Sequence, residues 1–307
     1  MSDISNFSAI TRRRILQMIA LSPLLTSLPA LSASRPDLSR IIALEWLPAE
    51  LLIALGVMPL AVADIRNYNI WVGEPPLAPG VIDVGQRTEP NMELIQQLKP
   101  SLVLVTKGYG PATSQLENIA PVLSVKANDG SAKPLDLAIS SLHKLADTLG
   151  LQDRAEKHLQ LYRDTLAQTR EQLKPVAQQP LLLITFIDPR HVLVFGQGSM
   201  LHEVMNNVGL TNAWQGEGSF WGSVSVGVER LAGIKNARVL CFDHDSASIM
   251  NVVEKTPLWK SMPFVRANQF TVIPAVWYYG ATFSAMHFCN ILTDKCNILT
   301  STLRKPV

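Results

Sequence analysis

The segment from Val81 to Gly110, VIDVGQRTEPNMELIQQLKPSLVLVTKGYG, restricts the fold more than any other part of the chain. Apolar runs at Val81–Val84 and Leu102–Val105 flank an amphipathic stretch from Pro90 to Leu98. Two strands separated by a helix of that length read as a β-α-β unit, which requires a parallel sheet covered by helices. One conspicuous polar side chain follows each apolar run, Arg87 after the first and Tyr109 after the second. Open α/β sheets bind their ligands beyond the carboxyl ends of parallel strands. A guanidinium and a phenol are therefore expected side by side on one rim, with no nucleophile or base beside them.

The same alternation runs through the rest of the chain. Ile41–Leu44, Ala61–Ala63 and Val122–Val125 are further strands. Helices are expected at Pro48–Leu55, closed by Gly56, and over 113–119. Leu135–Leu149 predicts a helix ended by Gly150. Gln152–Leu173 predicts a longer one, with Ala155, Leu159, Tyr162, Leu166 and Leu173 on one stripe. A helix of about 22 residues is roughly 33 Å long, the span of a small domain, and suits a strut between two lobes. A second lobe follows: strands Leu181–Ile187 and Val192–Phe195 joined by the turn Asp188-Pro189-Arg190, a helix around Met200–Asn207, strands Val239–Phe242 and Phe270–Ile273, and a helix over Thr282–Leu299. The expected architecture is α/β, two α/β lobes (35–150 and 176–307) joined by one long helix (151–175), with a ligand cleft between the lobes.

Residues 1–34 stand apart. Thr11-Arg12-Arg13-Arg14-Ile15-Leu16-Gln17 is a twin-arginine pattern, followed by an apolar stretch and by small residues at Ala30, Ser32, Ala33 and Ser34. Pro23, Pro29 and the serines interrupt a segment barely long enough to span a bilayer. The expectation is a cleavable export signal of the type that carries folded proteins to the periplasm. Residues 1–33 hold three arginines and one aspartate. Of the 27 basic and 25 acidic residues in the chain, 24 of each remain without them, for a net charge of zero. No basic field is left to attract nucleic acid. The three cysteines, Cys241, Cys289 and Cys296, make no disulfide framework. Cys289 and Cys296 lie about 10 Å apart along one helix, too far to bridge.

Tryptophans are the second clue. Trp46 follows the first strand, Trp71 lies in the Asn67–Gly73 loop, Trp221 in a glycine-rich loop, and Trp277 with Tyr279 in PAVWYYG. Any one of them has core packing as its ordinary role, but several at loop positions in both lobes point to aromatic walls facing across a cleft. Arg87 has two readings, a surface arginine paired with Glu89 or a donor to strongly polarised oxygens. Tyr109 has two as well, a loop aromatic packed on its own lobe or an exposed phenol. Catalytic motifs are missing: there is no G-x-S-x-G, no G-x-x-x-x-G-K-[ST] and no H-E-x-x-H. Asp243-His244-Asp245 is the one metal-like cluster, and such a triplet is more often a solvated loop.

The runs IIALEWLPAELLIALG, VIDVGQRTEPNMELI, KGYGP, IDPRHVLVFG, NAWQGEGSFWG, LCFDHD and PAVWYYGATFSAMHF resemble the periplasmic ferric-hydroxamate (ferrichrome-type) siderophore-binding proteins, substrate-binding proteins of ABC transporters with a long inter-lobe helix. The resemblance covers essentially the whole chain. It implies little hinge closure, and hydrogen bonds from Arg87 and Tyr109 to hydroxamate oxygens around Fe(III). It also implies an aromatic pocket of Trp46, Trp71, Trp221, Trp277 and Tyr279. The siderophore saturates the metal, so no cofactor and no protein metal ligand is expected. The implied partners are the ferric siderophore and an inner-membrane ABC permease, with Glu229 a candidate docking residue on a lobe tip; a monomer is expected. Val105 stands where a member of that family carries a tryptophan, and it is expected to leave the pocket less aromatic on the first lobe. Haem or a corrinoid on the same scaffold is the alternative cargo, and an enzyme is not expected.

Overall fold

The computed structural model describes residues 35–175, 179–244 and 247–294. The export segment, Asp245, Cys296 and the end of the expected Thr282–Leu299 helix lie outside these residues. Five short strands, Ile41–Ala43 (β1), Ala61–Val62 (β2), Ile82–Asp83 (β3), Leu102–Thr106 (β4) and Val122–Val125 (β5), form an all-parallel sheet in the order β3-β2-β1-β4-β5. Its strands read as continuous apolar runs because both faces are covered. Ile41, Ala43, Leu102 and Leu104 enter one core, while Ile42, Val103 and Val105 enter another.

The helices between these strands are Trp46–Ala54 (α1), Ile65–Trp71 (α2), Met92–Leu98 (α3) and Thr113–Glu117 (α4). All four depart from the expected bounds: α3 starts at Met92 behind an Asn91 cap, leaving Pro90 outside it, and α4 ends at Glu117 rather than 119, while the other two departures bear on the site. Helix α1 starts at Trp46 rather than Pro48, because the Glu45 carboxylate accepts from the Leu47 N–H and caps the helix two residues early. Helix α2 replaces the loop expected at Asn67–Gly73 and ends on Trp71.

Both expected helices form, Pro134–Leu149 (α5) and Gln152–Leu173 (α6), with Gly150 in the left-handed region between them; together they carry the chain from the first sheet to the second, where a single joining helix over 151–175 was expected. Ala155, Leu159, Tyr162 and Leu173 are buried on the inner stripe of α6, where His158 and Thr169 join them.

The second lobe holds Leu181–Asp188 (β6), His191–Phe195 (β7), Ser223–Gly227 (β8), Arg238–Asp243 (β9) and Phe270–Pro274 (β10), ordered β10-β9-β6-β7-β8. β10, β9 and β6 are parallel, and β7 and β8 are antiparallel additions. β8 was not expected, although its Ser-Val-Ser-Val alternation has the period of a half-buried strand. The turn at Asp188 is as expected, with its carboxylate accepting from the N–H groups of Arg190 (2.7 Å) and His191 (2.9 Å). Met200–Asn207 (α7), Ala247–Val253 (α8), Pro257–Ser261 (α9) and Pro263–Arg266 (α10) lead to the last described helix, Thr282–Asp294 (α11).

One hydrophobic core runs through both lobes. It joins Leu104 of β4 and Leu52 of α1 to Leu145 of α5, Leu183 of β6, Phe242 of β9 and Phe288 of α11. Polar side chains reinforce it. Glu50 on α1 is 1% exposed, and its carboxylate accepts from the N–H of Ala281 (3.0 Å) and from the N–H (2.9 Å) and hydroxyl (2.8 Å) of Ser284 at the start of α11. Burial holds this carboxyl above the usual carboxylate range, against the pull of those donors. Cys241 and Cys289 are buried, and burial pushes their thiols up to about 12 and about 11. Among the described residues no helix is long and apolar enough to cross a membrane.

Two core histidines predict acid sensitivity. His158 meets the Thr282 hydroxyl at 2.7 Å and His244 meets the Thr185 hydroxyl at 3.1 Å; burial lowers each from 6.5 to about 4. A depressed histidine contributes full stability above its unfolded value and loses it as pH falls toward the folded value, about 3 kcal/mol each. Denaturant midpoints should therefore drop steeply between pH 6.5 and pH 4. A flat profile across that window would contradict the burial of these rings. Glu50 opposes them with the reverse sign, since protonating a buried carboxyl favours the fold.

Candidate functional site

The first sheet reverses its strand order at β1/β4, and residues that follow its strand ends meet at that switch point. Glu45 and Trp46 follow β1, Arg87 follows β3, Thr106 ends β4 with Lys107 and Tyr109 after it, and Lys126 to Asp129 follow β5. The second lobe contributes Phe220 and Trp221, ahead of β8, and Trp277 and Tyr279, beyond β10. Together they line a cleft of about 740 Å³, Trp46 excepted. A volume of that size suits a ligand of several hundred daltons.

Arg87 is the centre of the site. Its guanidinium lies 3.6 Å above the Trp46 ring and within 5.3 and 5.7 Å of the rings of Tyr109 and Trp277. Nη1 donates to Glu45 Oε1 at 2.5 Å, so the arginine pairs with Glu45 and not with Glu89. Glu45 is 7% exposed, and its second oxygen accepts from the Leu47 N–H at 2.9 Å and the Thr106 hydroxyl at 3.3 Å. The planar cation is thus held between an aromatic floor and a buried carboxylate, with its remaining donors left for the cleft. Tyr109 is 42% exposed on the KGYGP loop, flanked by Gly108 and Gly110 in the left-handed region. Of its two readings, the exposed phenol is the one observed.

The aromatic residues divide by role. Trp221 is 46% exposed and faces Tyr279 at 5.7 Å, and Tyr279 stands 5.4 Å from Trp277 with its hydroxyl against Ser223. Trp221 depends on its neighbour Gly222 (φ +72°), where a Cβ would lie 2.0 Å from the Ser199 nitrogen. Trp46 is not on the cleft wall. It is 1% exposed, donates its indole N–H to the Ala63 carbonyl at 3.0 Å and carries Arg87 from beneath. The early start of α1 turns it inward. Trp71 is also away from the cleft: at the end of α2 it stacks on His244 at 4.5 Å and meets Tyr278 at 6.3 Å. Val105 is 5% exposed within the outer core, because alternation along β4 points Thr106, and not Val105, toward Glu45. In this chain Val105 itself is not on the cleft lining.

Of the lining residues that the sequence reading missed, Glu45 and Phe220 bear most on the geometry. Glu45 sits at the same kind of strand end that marked Arg87, in the run IIALEW, and a lone acid there was the available signal. Phe220 is 56% exposed, packs edge-on against Trp221 at 5.2 Å, and accepts a hydrogen bond at its carbonyl from the Asn128 amide across the cleft. Only its adjacency to Trp221 hinted at it. Glu229 is exposed in the 3-10 helix Val228–Gly233, away from the cleft lining. His244 lies within the core, and among the described residues no group of three or more His, Cys, Asp or Glu could hold a metal ion.

The chain is similar to known proteins over most of its length. The chain is 50% identical to the iron(3+)-hydroxamate-binding protein FhuD of Escherichia coli (strain K12) over 291 residues, 95% of this chain and 98% of that one. The Fe3+-Desferal-bound siderophore-binding protein FhuD from Vibrio cholerae superposes with a TM-score of 0.78 at 26% identity, covering 85% of this chain and 98% of that one. FhuD2 from Staphylococcus aureus with bound ferrioxamine B shares the fold, with a TM-score of 0.67 at 17% identity over 85% and 99% of the two chains. The periplasmic binding protein family model matches residues 41–276. The chain belongs to the periplasmic binding protein family.

Proposed function

We propose that this protein captures ferric hydroxamate siderophores in the periplasm and delivers them to an inner-membrane ABC importer. The observation that carries the reading is the pairing of Arg87 with the exposed Tyr109 phenol on one wall, opposite the aromatic wall of Trp221, Trp277 and Tyr279. A tris-hydroxamate iron centre is neutral overall but concentrates negative charge on its oxygens. A guanidinium and a phenol supply donors to those oxygens, and the aromatic faces cover the apolar remainder. Iron arrives already saturated by its chelator, so the protein provides recognition and no metal ligands. Few polar contacts imply tolerance toward the siderophore backbone. Half of all positions shared with the FhuD protein of Escherichia coli over nearly the full chain supports the same cargo class. The twin-arginine pattern at 11–17 supports export in the folded state. Glu229, exposed beside β8, is proposed as a permease contact.

Ferric hydroxamate titrated into the mature protein should quench tryptophan fluorescence saturably, since Trp221 and Trp277 line the cleft. No response to any ferric hydroxamate, together with a Soret shift on adding haem or saturable binding of a corrinoid, would replace this reading with the alternative cargo.

A further inference from the structure

The carboxylate of Glu45 is more than a helix cap requires. Ser, Thr or Asn would accept from the Leu47 N–H as well, without placing a full charge in a nearly dry site. Its other oxygen lies 2.5 Å from Arg87 Nη1, so the half-buried cation of the cleft floor is neutralised at its source. The other charged groups on the lining, Lys107, Lys126 and Asp129, are exposed and screened by salt.

We propose that Glu45 sets the charge selectivity of the cleft: by cancelling Arg87 it leaves the cleft floor with hydrogen-bond donors and no unpaired buried charge, which accepts neutral ferric tris-hydroxamates and rejects trianionic ferric tris-catecholates. The proposal rests on the hydroxamate reading above. Arg87 alone would attract the trianion through an unopposed Coulomb term that grows with ligand charge. Paired with Glu45, it keeps its directional hydrogen bonds while losing that long-range pull. The carboxylate itself stands as a repulsive element against anionic complexes, which is how specificity is commonly built.

The test measures the ratio of affinities for a neutral ferric tris-hydroxamate and a trianionic ferric tris-catecholate by fluorescence titration, in the native protein and two variants. Glu45→Gln keeps the cap oxygen and the side-chain shape. It should move the ratio at least about tenfold toward the catecholate, and the gain should shrink at high salt. Glu45→Gln/Arg87→Gln removes both charges and keeps an amide pair, so its ratio should stay within about threefold of the native value despite weaker binding overall. This double variant also serves if Glu45→Gln alone fails to fold. An unchanged ratio in Glu45→Gln, or a double variant that loses the catecholate about tenfold relative to the hydroxamate, overturns the proposal, because each means Arg87 was never neutralised. If the native protein binds no hydroxamate, the functional reading falls first and this proposal with it. If it binds the hydroxamate and the ratio does not move, only the role of Glu45 falls.

Discussion

Replacing Arg87 by alanine should weaken ferric hydroxamate binding by about 3–4 kcal/mol, a loss of roughly 100- to 1000-fold in affinity. Two effects add. The charged hydrogen bonds from the guanidinium to the ligand oxygens are worth about 1.5–3 kcal/mol. The second effect comes from Glu45, which keeps its place through Leu47 and Thr106 but loses its cation and then faces electron-rich hydroxamate oxygens. A buried carboxylate left without its partner costs more than the partner's contacts alone. Arg87→Lys should fall between, about tenfold weaker, because an ammonium cannot hold Glu45 and stack on Trp46 with the same planar fork. Titration by tryptophan quenching or calorimetry measures all three. A loss below threefold for Arg87→Ala would show that the ligand does not engage this wall of the cleft.

The largest effect on stability is expected at Glu50. Glu50→Ala strips the acceptors from the N–H groups of Ala281 and Ser284 and from the Ser284 hydroxyl, all inside the shared core. Orphaned buried donors together with the cavity should cost about 3–5 kcal/mol, a fall in Tm of roughly 6–15 °C. Glu50→Gln keeps one acceptor oxygen and sheds a carboxylate that burial disfavours, so its cost should be about 1–2 kcal/mol. The gap between the two variants in thermal unfolding at pH 7 is the diagnostic. Equal losses would mean that packing, and not acceptance from α11, is what Glu50 contributes.

Strand and helix existence was legible wherever hydrophobic period was long and punctuated. The runs at 41–44, 102–105 and 122–125, the two helices between the lobes and the Asp188 turn all stand where the pattern puts them. Arg87 and Tyr109 were legible for a topological reason, since strand ends on one edge of a parallel sheet converge. What was hidden depends on contacts between distant segments. Nothing near Trp46 in the sequence says that Glu45 caps the helix early and turns the indole beneath Arg87. Trp71 closes a seven-residue helix that Asp64 opens from a left-handed backbone, an irregular start with no cap hydrogen bond to announce it. Phe220 joins the cleft because Asn128 holds its backbone from 92 residues away.

The continuous core has a consequence for transport. A carrier whose halves share Leu104, Leu183 and Phe288 in one packed interior, and are stitched again by Glu50, has little room to change its outline when cargo arrives. With delivery to an importer as proposed, empty and loaded carriers would then present nearly the same face to it and compete for it. Under the proposed function, uptake would follow the ratio of filled to empty carriers more than their total number. Overproducing the carrier when siderophore is scarce would slow import instead of speeding it.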